Sequence, residues 1–187
     1  MKRKLAAALA AVMMLGTGAA LAADIAAEPV AYSSDKLAVD APITREQFCE
    51  LAFNMINDVK ELPVAKLLKA PFDDVSNPKI NALAFVGIVS GRADGVFAPE
   101  DKLTREEAAV IMYRMAEYAG LELPMAKVDA AYADNAAISP WALSQVYSLK
   151  LVGVIADSDG ENFRPADSYT VGEASASLLK LGELLKK

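Results

Sequence analysis

The chain has 187 residues with 19 basic and 25 acidic side chains, one cysteine and no histidine, for a formal net charge of −6. That balance argues against a general binder of nucleic acid or of anionic membrane, because any anion it recognised would have to be held by a local site. Without histidine there is no His-based triad and no His metal site, and one cysteine excludes an internal disulfide.

Residues 1–22 open with Lys2, Arg3 and Lys4, continue in an apolar run from Leu5 to about Leu15, and close on Ala20-Leu21-Ala22. A basic start, a short apolar stretch and a small-x-small end describe a secretory signal peptide, and the run is too short to span a membrane. Cys49 lies too far into the chain to be a lipobox cysteine following the signal. Removing the signal removes three positive charges, so the mature chain carries about −9. The roughly 165 residues that remain are enough to bury a core. Residues 23–42 are alanine-rich and read as a flexible or extended arm.

One helix is then written three times. Residues 43–55 (ITREQFCELAFNM) align without a gap on residues 103–115 (LTREEAAVIMYRM) and, 66 residues further on, on residues 169–181 (YTVGEASASLLKL). Each copy starts with Thr and carries Glu or Gln three residues later: Thr44/Gln47, Thr104/Glu107 and Thr170/Glu173. This is a capping box, in which hydroxyl and carboxyl or amide reciprocally satisfy the first helix amides. A stripe follows at the same four positions: Phe48, Leu51, Ala52, Met55; Ala108, Ile111, Met112, Met115; and Ala174, Ser177, Leu178, Leu181. Its helical period predicts three equivalent helices burying their stripes against one another. Cys49 falls on an apolar helix face, and Met55, Met112 and Met115 are core rather than metal ligands.

The preceding segment repeats too. Residues 86–99 (VGIVSGRADGVFAP) match residues 152–165 (VGVIADSDGENFRP), with Gly87/Gly153, Phe97/Phe163 and Pro99/Pro165 in register. Short helices are expected ahead of them, over Pro78–Val86 and Trp141–Val152, the second with Pro140 in its first turn and Ser139 as its cap. Each follows an aromatic-x-Asp start, Phe72-Asp73-Asp74 or Tyr132-Ala133-Asp134. The unit is therefore short helix, glycine-rich turn, Phe-x-Pro and capped long helix. It is complete at 72–118, degenerate at 132–185, and reduced to its closing half at 43–58. Residues 59–71 and 120–131 are linkers, the first with room for a helical turn around Val64–Leu68.

Arg45 and Arg105 stand in the first turn of their helices, where the dipole disfavours a cation by about 0.3–1 kcal/mol. A bound carboxylate or phosphate would reverse that sign, since amides, dipole and guanidinium would converge on it. The alternative is an ion pair, for Arg105 with Glu106 or with an acidic residue of a neighbouring repeat. Trp141 is a candidate for stacking on a sugar, or else packs at the helix start. Gly91, Asp94 and Gly95 form a tight turn with positive φ that would line a groove, and Arg92 in the same turn is within reach of an anion or simply solvated. Asp157 to Asn162 falls short of a calcium loop, with its glycine at the fourth position and no closing Glu. No metal site and no cofactor is expected. G-x-S-x-G and C-x-x-C are absent, and the pairs Asp73/Asp74 and Asp157/Asp159 offer only a weak acid pair for a glycosidase, so no enzyme is expected.

The set Phe72-Asp73-Asp74-Val75, Gly87-Ile88-Val89-Ser90-Gly91, Asp94-Gly95-Val96-Phe97-Ala98-Pro99 and Leu103-Thr104-Arg105-Glu106-Glu107 resembles the S-layer homology domain, with Ile43 to Phe48 closing a preceding repeat and Trp141, Gly153-Val154-Ile155 and Phe163-Arg164-Pro165 supplying a third. The resemblance implies an all-α, pseudo-threefold assembly around a central three-helix bundle. It implies an exported module, on a Gram-positive-type envelope, that binds anionic and often pyruvylated secondary wall polymer or peptidoglycan-linked polysaccharide in grooves between repeats. It also implies that Arg45 and Arg105 occupy the family's groove-arginine position. Val171 replaces that arginine in the third copy, and Asp157 replaces Gly91. The partners expected are wall glycopolymer or, if the grooves have decayed, other surface proteins; nucleic acid is not expected, nor a membrane span after signal removal.

Overall fold

The computed structural model describes residues 39–63, 71–124 and 132–186. The signal peptide, most of the arm and the helical turn expected around Val64–Leu68 lie outside the described residues. Among the described residues the protein is helical, with β-contacts confined to isolated bridges. The helices are α1 (Arg45–Val59), α2 (Pro78–Phe85), α3 (Arg105–Ala119), α4 (Leu143–Leu151) and α5 (Val171–Leu184), with a 3₁₀ turn at Asn135–Ala137. The expected all-α class holds.

The three long helices start where their caps are written. Thr44, Thr104 and Thr170 each accept the N3 amide, and Gln47, Glu107 and Glu173 each return to the cap amide, completing all three boxes. α1, α3 and α5 touch one another pairwise, and their stripes are buried, apart from half-buried Leu51. Ser177, the polar member of a stripe, is accommodated because its hydroxyl lies 2.6 Å from that of buried Tyr169. The short helices cover the outside: α2 packs on α1 and α4 on α3, and no corresponding helix packs on α5 among the described residues.

The junctions between units form a closed ring. Ile43 N donates to Tyr169 O (2.9 Å), Tyr169 N to Leu103 O (2.7 Å) and Leu103 N to Ile43 O (3.0 Å). Each long helix also gives its first two amides to the loop of the next unit. Arg45 and Glu46 donate to Asp101 O and Pro99 O, Arg105 and Glu106 to Asp167 O and Pro165 O, and Val171 and Gly172 to Ala41 O and Val39 O. Residues 39–42, the end of the stretch read as an arm, are thereby held against α5.

α2 begins as its sequence suggests, with Asn77 accepting from Lys79 N and Pro78 at the first position. α4 begins at Leu143, later than expected, and Ser139 does not cap it. The Ser139 amide and hydroxyl go instead to the Glu106 carboxylate, both at 3.0 Å, because the neighbouring helix offers a charged acceptor. Asn77 makes the matching contact with Glu46. Gly172 occupies the third such position, where a Cβ would lie 2.4 Å from Val39 Cγ1.

The Phe-x-Pro corners turn through positive φ at Ala98 (59°) and Arg164 (56°). The aromatic-x-Asp motif explains how. Asp74 accepts from Phe97 N and Ala98 N (2.8 and 2.7 Å), and Asp134 from Phe163 N and Arg164 N (2.8 and 2.6 Å). The Phe97 amide, then that of Ala98, holds the Asp74 carboxyl below the usual carboxylate range. A depressed folded pKa stabilises above the unfolded value and is lost as pH falls through the folded one. The urea midpoint of the wild type should therefore drop as pH falls below about 4. Asp74→Asn should be less stable at neutral pH and show a shallower acid limb; equal slopes would contradict this role.

Candidate functional site

The first-turn arginines reach across the junctions. Arg45 is 5% exposed; its Nε donates to Phe97 O (2.9 Å) and its Nη2 to Ser90 O (3.0 Å). Its guanidinium carbon lies 4.6 Å from the Phe97 ring centroid and its Nη1 3.7 Å from Glu107 Oε1. Burial, opposed by Glu107, lowers its pKa. Arg105 repeats the arrangement one unit on. It is 4% exposed, donates from Nε to Phe163 O (2.6 Å) and from Nη2 to Ala156 O (2.9 Å), pairs with Glu173, and lies over the Phe163 and Tyr169 rings. Each arginine thus fastens the next unit's turn to its own helix. Since N1 and N2 amides are bonded to loop carbonyls and N3 to the Thr hydroxyl, those amides are already partnered at these termini.

Val171 stands at the equivalent position of the third long helix, where its amide and that of Gly172 donate to Ala41 O and Val39 O.

The two arginine junctions differ at their surfaces. Beside Arg45, Arg92 pairs through Nη1 with Glu107 (2.8 Å) and through Nε with Asp101 (3.0 Å) while its side chain stays 37% exposed. Half-buried Arg114 donates to Ser90 Oγ (3.1 Å). Arg45, Arg92 and Arg114 therefore surround one turn, Ser90-Gly91-Arg92, with Glu107 and Asp101 between them. Beside Arg105, Ser158 stands at the position of Arg92 and Ala156 at that of Ser90, and the neighbouring turn carries Asp157, Asp159 and Glu161. At the first junction the rim carries two arginines, each engaged by a neighbour, whereas at the second Lys150 pairs with Asp157 and Arg164 with Asp159.

Arg45, Gly91 and Arg92 are thus brought together, and Asp94 and Gly95 belong to the same hairpin, closed by Arg92 N to Val96 O (2.9 Å). Gly95 has the expected positive φ of 70°. Gly91 does not; glycine is required there because a Cβ would lie 2.5 Å from Val96 O and 2.9 Å from Phe72 Cε1. Arg105 lies at the second junction and Trp141 in the third unit, 53% exposed just ahead of α4. Sequence reasoning missed Arg114 and used Glu107 only as a cap. Their separation of seven residues, two helical turns, was the available signal that both share a face.

Three of the carboxylates weighed for hydrolysis are otherwise engaged. Asp74 accepts from two amides and Asp157 pairs with Lys150 (3.1 Å), while Asp73 lies over Gly95, where a Cβ would be 2.7 Å from its Oδ2. Asp159 is bonded to Asn162 and Arg164. Among the described residues no group of three potential ligands gathers to hold a metal, and no helix is long and apolar enough to cross a membrane. Buried Cys49 has its thiol pushed up to about 12 by burial.

Residues 71–109 match the family model described as S-layer homology domain. Over 112 residues, 58% of the chain, the sequence is 31% identical to an endoglucanase of Bacillus sp. (strain KSM-635), and the aligned region is 12% of that relative.

Proposed function

Because this chain carries an S-layer homology domain, a binding module that implies anchoring at the cell surface, we propose that it attaches non-covalently to an anionic, pyruvylated secondary wall polymer of a Gram-positive-type envelope after export by its signal peptide. The observation that carries this reading is the rim of the first junction. Arg92 is partly exposed and Arg114 is half-buried, on either side of Ser90 and Gly91, above a buried Arg45 that fixes the turn. An incoming carboxylate would compete with Glu107 and Asp101 for planar, multiply donating guanidinium groups, which suit carboxylate better than a lysine does. In this reading Arg92 and Arg114 touch the polymer, and Arg45 and Arg105 position the turns. Gly91, Asp94 and Gly95 bring backbone close to the sugar, and Trp141 offers an aromatic face further along the chain. Endoglucanase activity is a property of the relative and is not carried over.

The test is co-sedimentation of the mature protein with host wall sacculi, intact or stripped of secondary polymer by acid. Wild type should pellet only with intact sacculi, and Arg92→Ala/Arg114→Ala should stay in solution while melting within a few degrees of wild type. A double variant that pellets like wild type would sink the assignment.

A second reading, an interaction protein with decayed grooves, is favoured at the other junctions, where Ser158 stands in place of Arg92 and Val171 in place of arginine. It predicts capture of other surface proteins that does not depend on Arg92 and Arg114.

A further inference from the structure

The third unit departs from the second at five equivalent positions that meet in space. Phe72, Asp73, Ala84, Gly91 and Gly95 become Tyr132, Ala133, Lys150, Asp157 and Glu161. The frame around them is shared. The ring pairs Phe72–Phe97 and Tyr132–Phe163 lie 5.1 and 5.2 Å apart, both at 42°. Asp73 N donates to Gly95 O as Ala133 N does to Glu161 O, and Gly87 N to Ala84 O as Gly153 N does to Lys150 O.

In the second unit the Asp73 carboxylate fills the space over Gly95, where a Cβ would lie 2.7 Å from Oδ2. In the third unit Ala133 vacates that space and Glu161 takes the rim. The result is a cleft of about 340 Å³ lined by Tyr132, Ala133, Lys150, Gly160 and Glu161. Lys150 Nζ lies 3.1 Å from Asp157 Oδ1 and 3.6 Å from the Tyr132 ring centroid. The Tyr132 hydroxyl is buried beside this group with no hydrogen-bond partner. A space filled by one carboxylate has thus become an opening beside the Lys150–Asp157 pair.

We propose that this cleft binds a neutral sugar residue, its hydroxyls bridging the Lys150 ammonium and the Glu161 carboxylate. Sugar hydroxyls both donate and accept, so they match an ammonium, which only donates, and a carboxylate, which only accepts. Asp157 already neutralises Lys150, and Glu161 adds negative charge, so an anionic ligand is disfavoured. The site is in a different unit from the Arg45–Arg92–Arg114 cluster and does not depend on the anionic-polymer reading.

The test is a nuclear magnetic resonance titration of the isotope-labelled mature chain with cellobiose and N,N′-diacetylchitobiose, and with glucuronate as the anionic control. A neutral disaccharide should give saturable shifts at the Ala133, Gly160 and Glu161 amides, with glucuronate weaker. Ala133→Asp/Glu161→Gly, which writes the second unit's residues into the third, should weaken that binding about tenfold, the loss of a hydrogen bond to a charged group. Glu161→Gln, at an exposed side chain, should weaken it in the same direction and leaves the test intact if the double variant misfolds. No saturable shift at these amides, a preference for glucuronate, or undiminished binding by a folded variant would overturn the proposal.

Discussion

Arg105→Ala is expected to lower the thermal midpoint by about 6–12 °C, equivalent to a loss of about 3 kcal/mol for a chain of this size. The guanidinium donates to Phe163 O and Ala156 O and pairs with Glu173, all from a side chain 4% exposed. Truncation leaves carbonyls that water reaches poorly, and it unfastens the third unit's turn from α3. The Glu173 pair itself contributes little to this figure, because that carboxylate is 35% exposed and solvent screens it. Arg105→Lys should recover less than half of the loss, since one ammonium cannot serve the three separate partners that a planar fork reaches. Differential scanning calorimetry of both variants checks this. A midpoint for Arg105→Ala within a degree of wild type would show that the arginine is free for a ligand rather than committed to the fold.

Phe97→Ala should cost about 3–5 kcal/mol, the range for removing a fully buried phenyl ring. Phe97 is fully buried, packs on Phe72, and lies under the Arg45 guanidinium. Its backbone is also the corner's fixed point, with its amide on Asp74 and its carbonyl accepting from Arg45 Nε. The cavity would therefore loosen both the second unit's core and the turn bearing Ser90, Gly91 and Arg92. Urea denaturation should show a lower midpoint with an unchanged slope, since the surface exposed on unfolding is the same. Below its midpoint the variant should still bind wall sacculi less well than wild type, because the arginine rim is no longer held. Unchanged stability would mean that the Phe-x-Pro corner is not the anchor described here.

Much of the fold was legible because its signals are local. Capping boxes at Thr44, Thr104 and Thr170 involve residues three apart, and the apolar stripes follow the helical period, so helix starts and buried faces could be read from the chain. The start of α4 was misplaced for the opposite reason. Ser139 looked like a cap by its neighbours in sequence, yet the Glu106 carboxylate, distant in sequence, takes both its amide and its hydroxyl. Gly91 was likewise assigned a positive φ that it does not have; what demands glycine is the approach of Val96 O and Phe72.

The sequence by itself determined the repeat, the helices and which faces they bury, because hydrogen bonds within a turn and the helical period of a stripe act between near neighbours. It also marked Arg45 and Arg105 as residues whose placement required a partner. Only the tertiary structure decided which partner that is. The closed ring of backbone bonds through Ile43, Leu103 and Tyr169 carries each helix N-terminus to the next unit's turn, where carbonyls of Ser90, Phe97, Ala156 and Phe163 await the guanidinium groups. It likewise gathered Arg92 and Arg114 on one rim, and Tyr132, Lys150 and Glu161 around one cleft, since these residues are far apart along the chain and meet only when whole units pack.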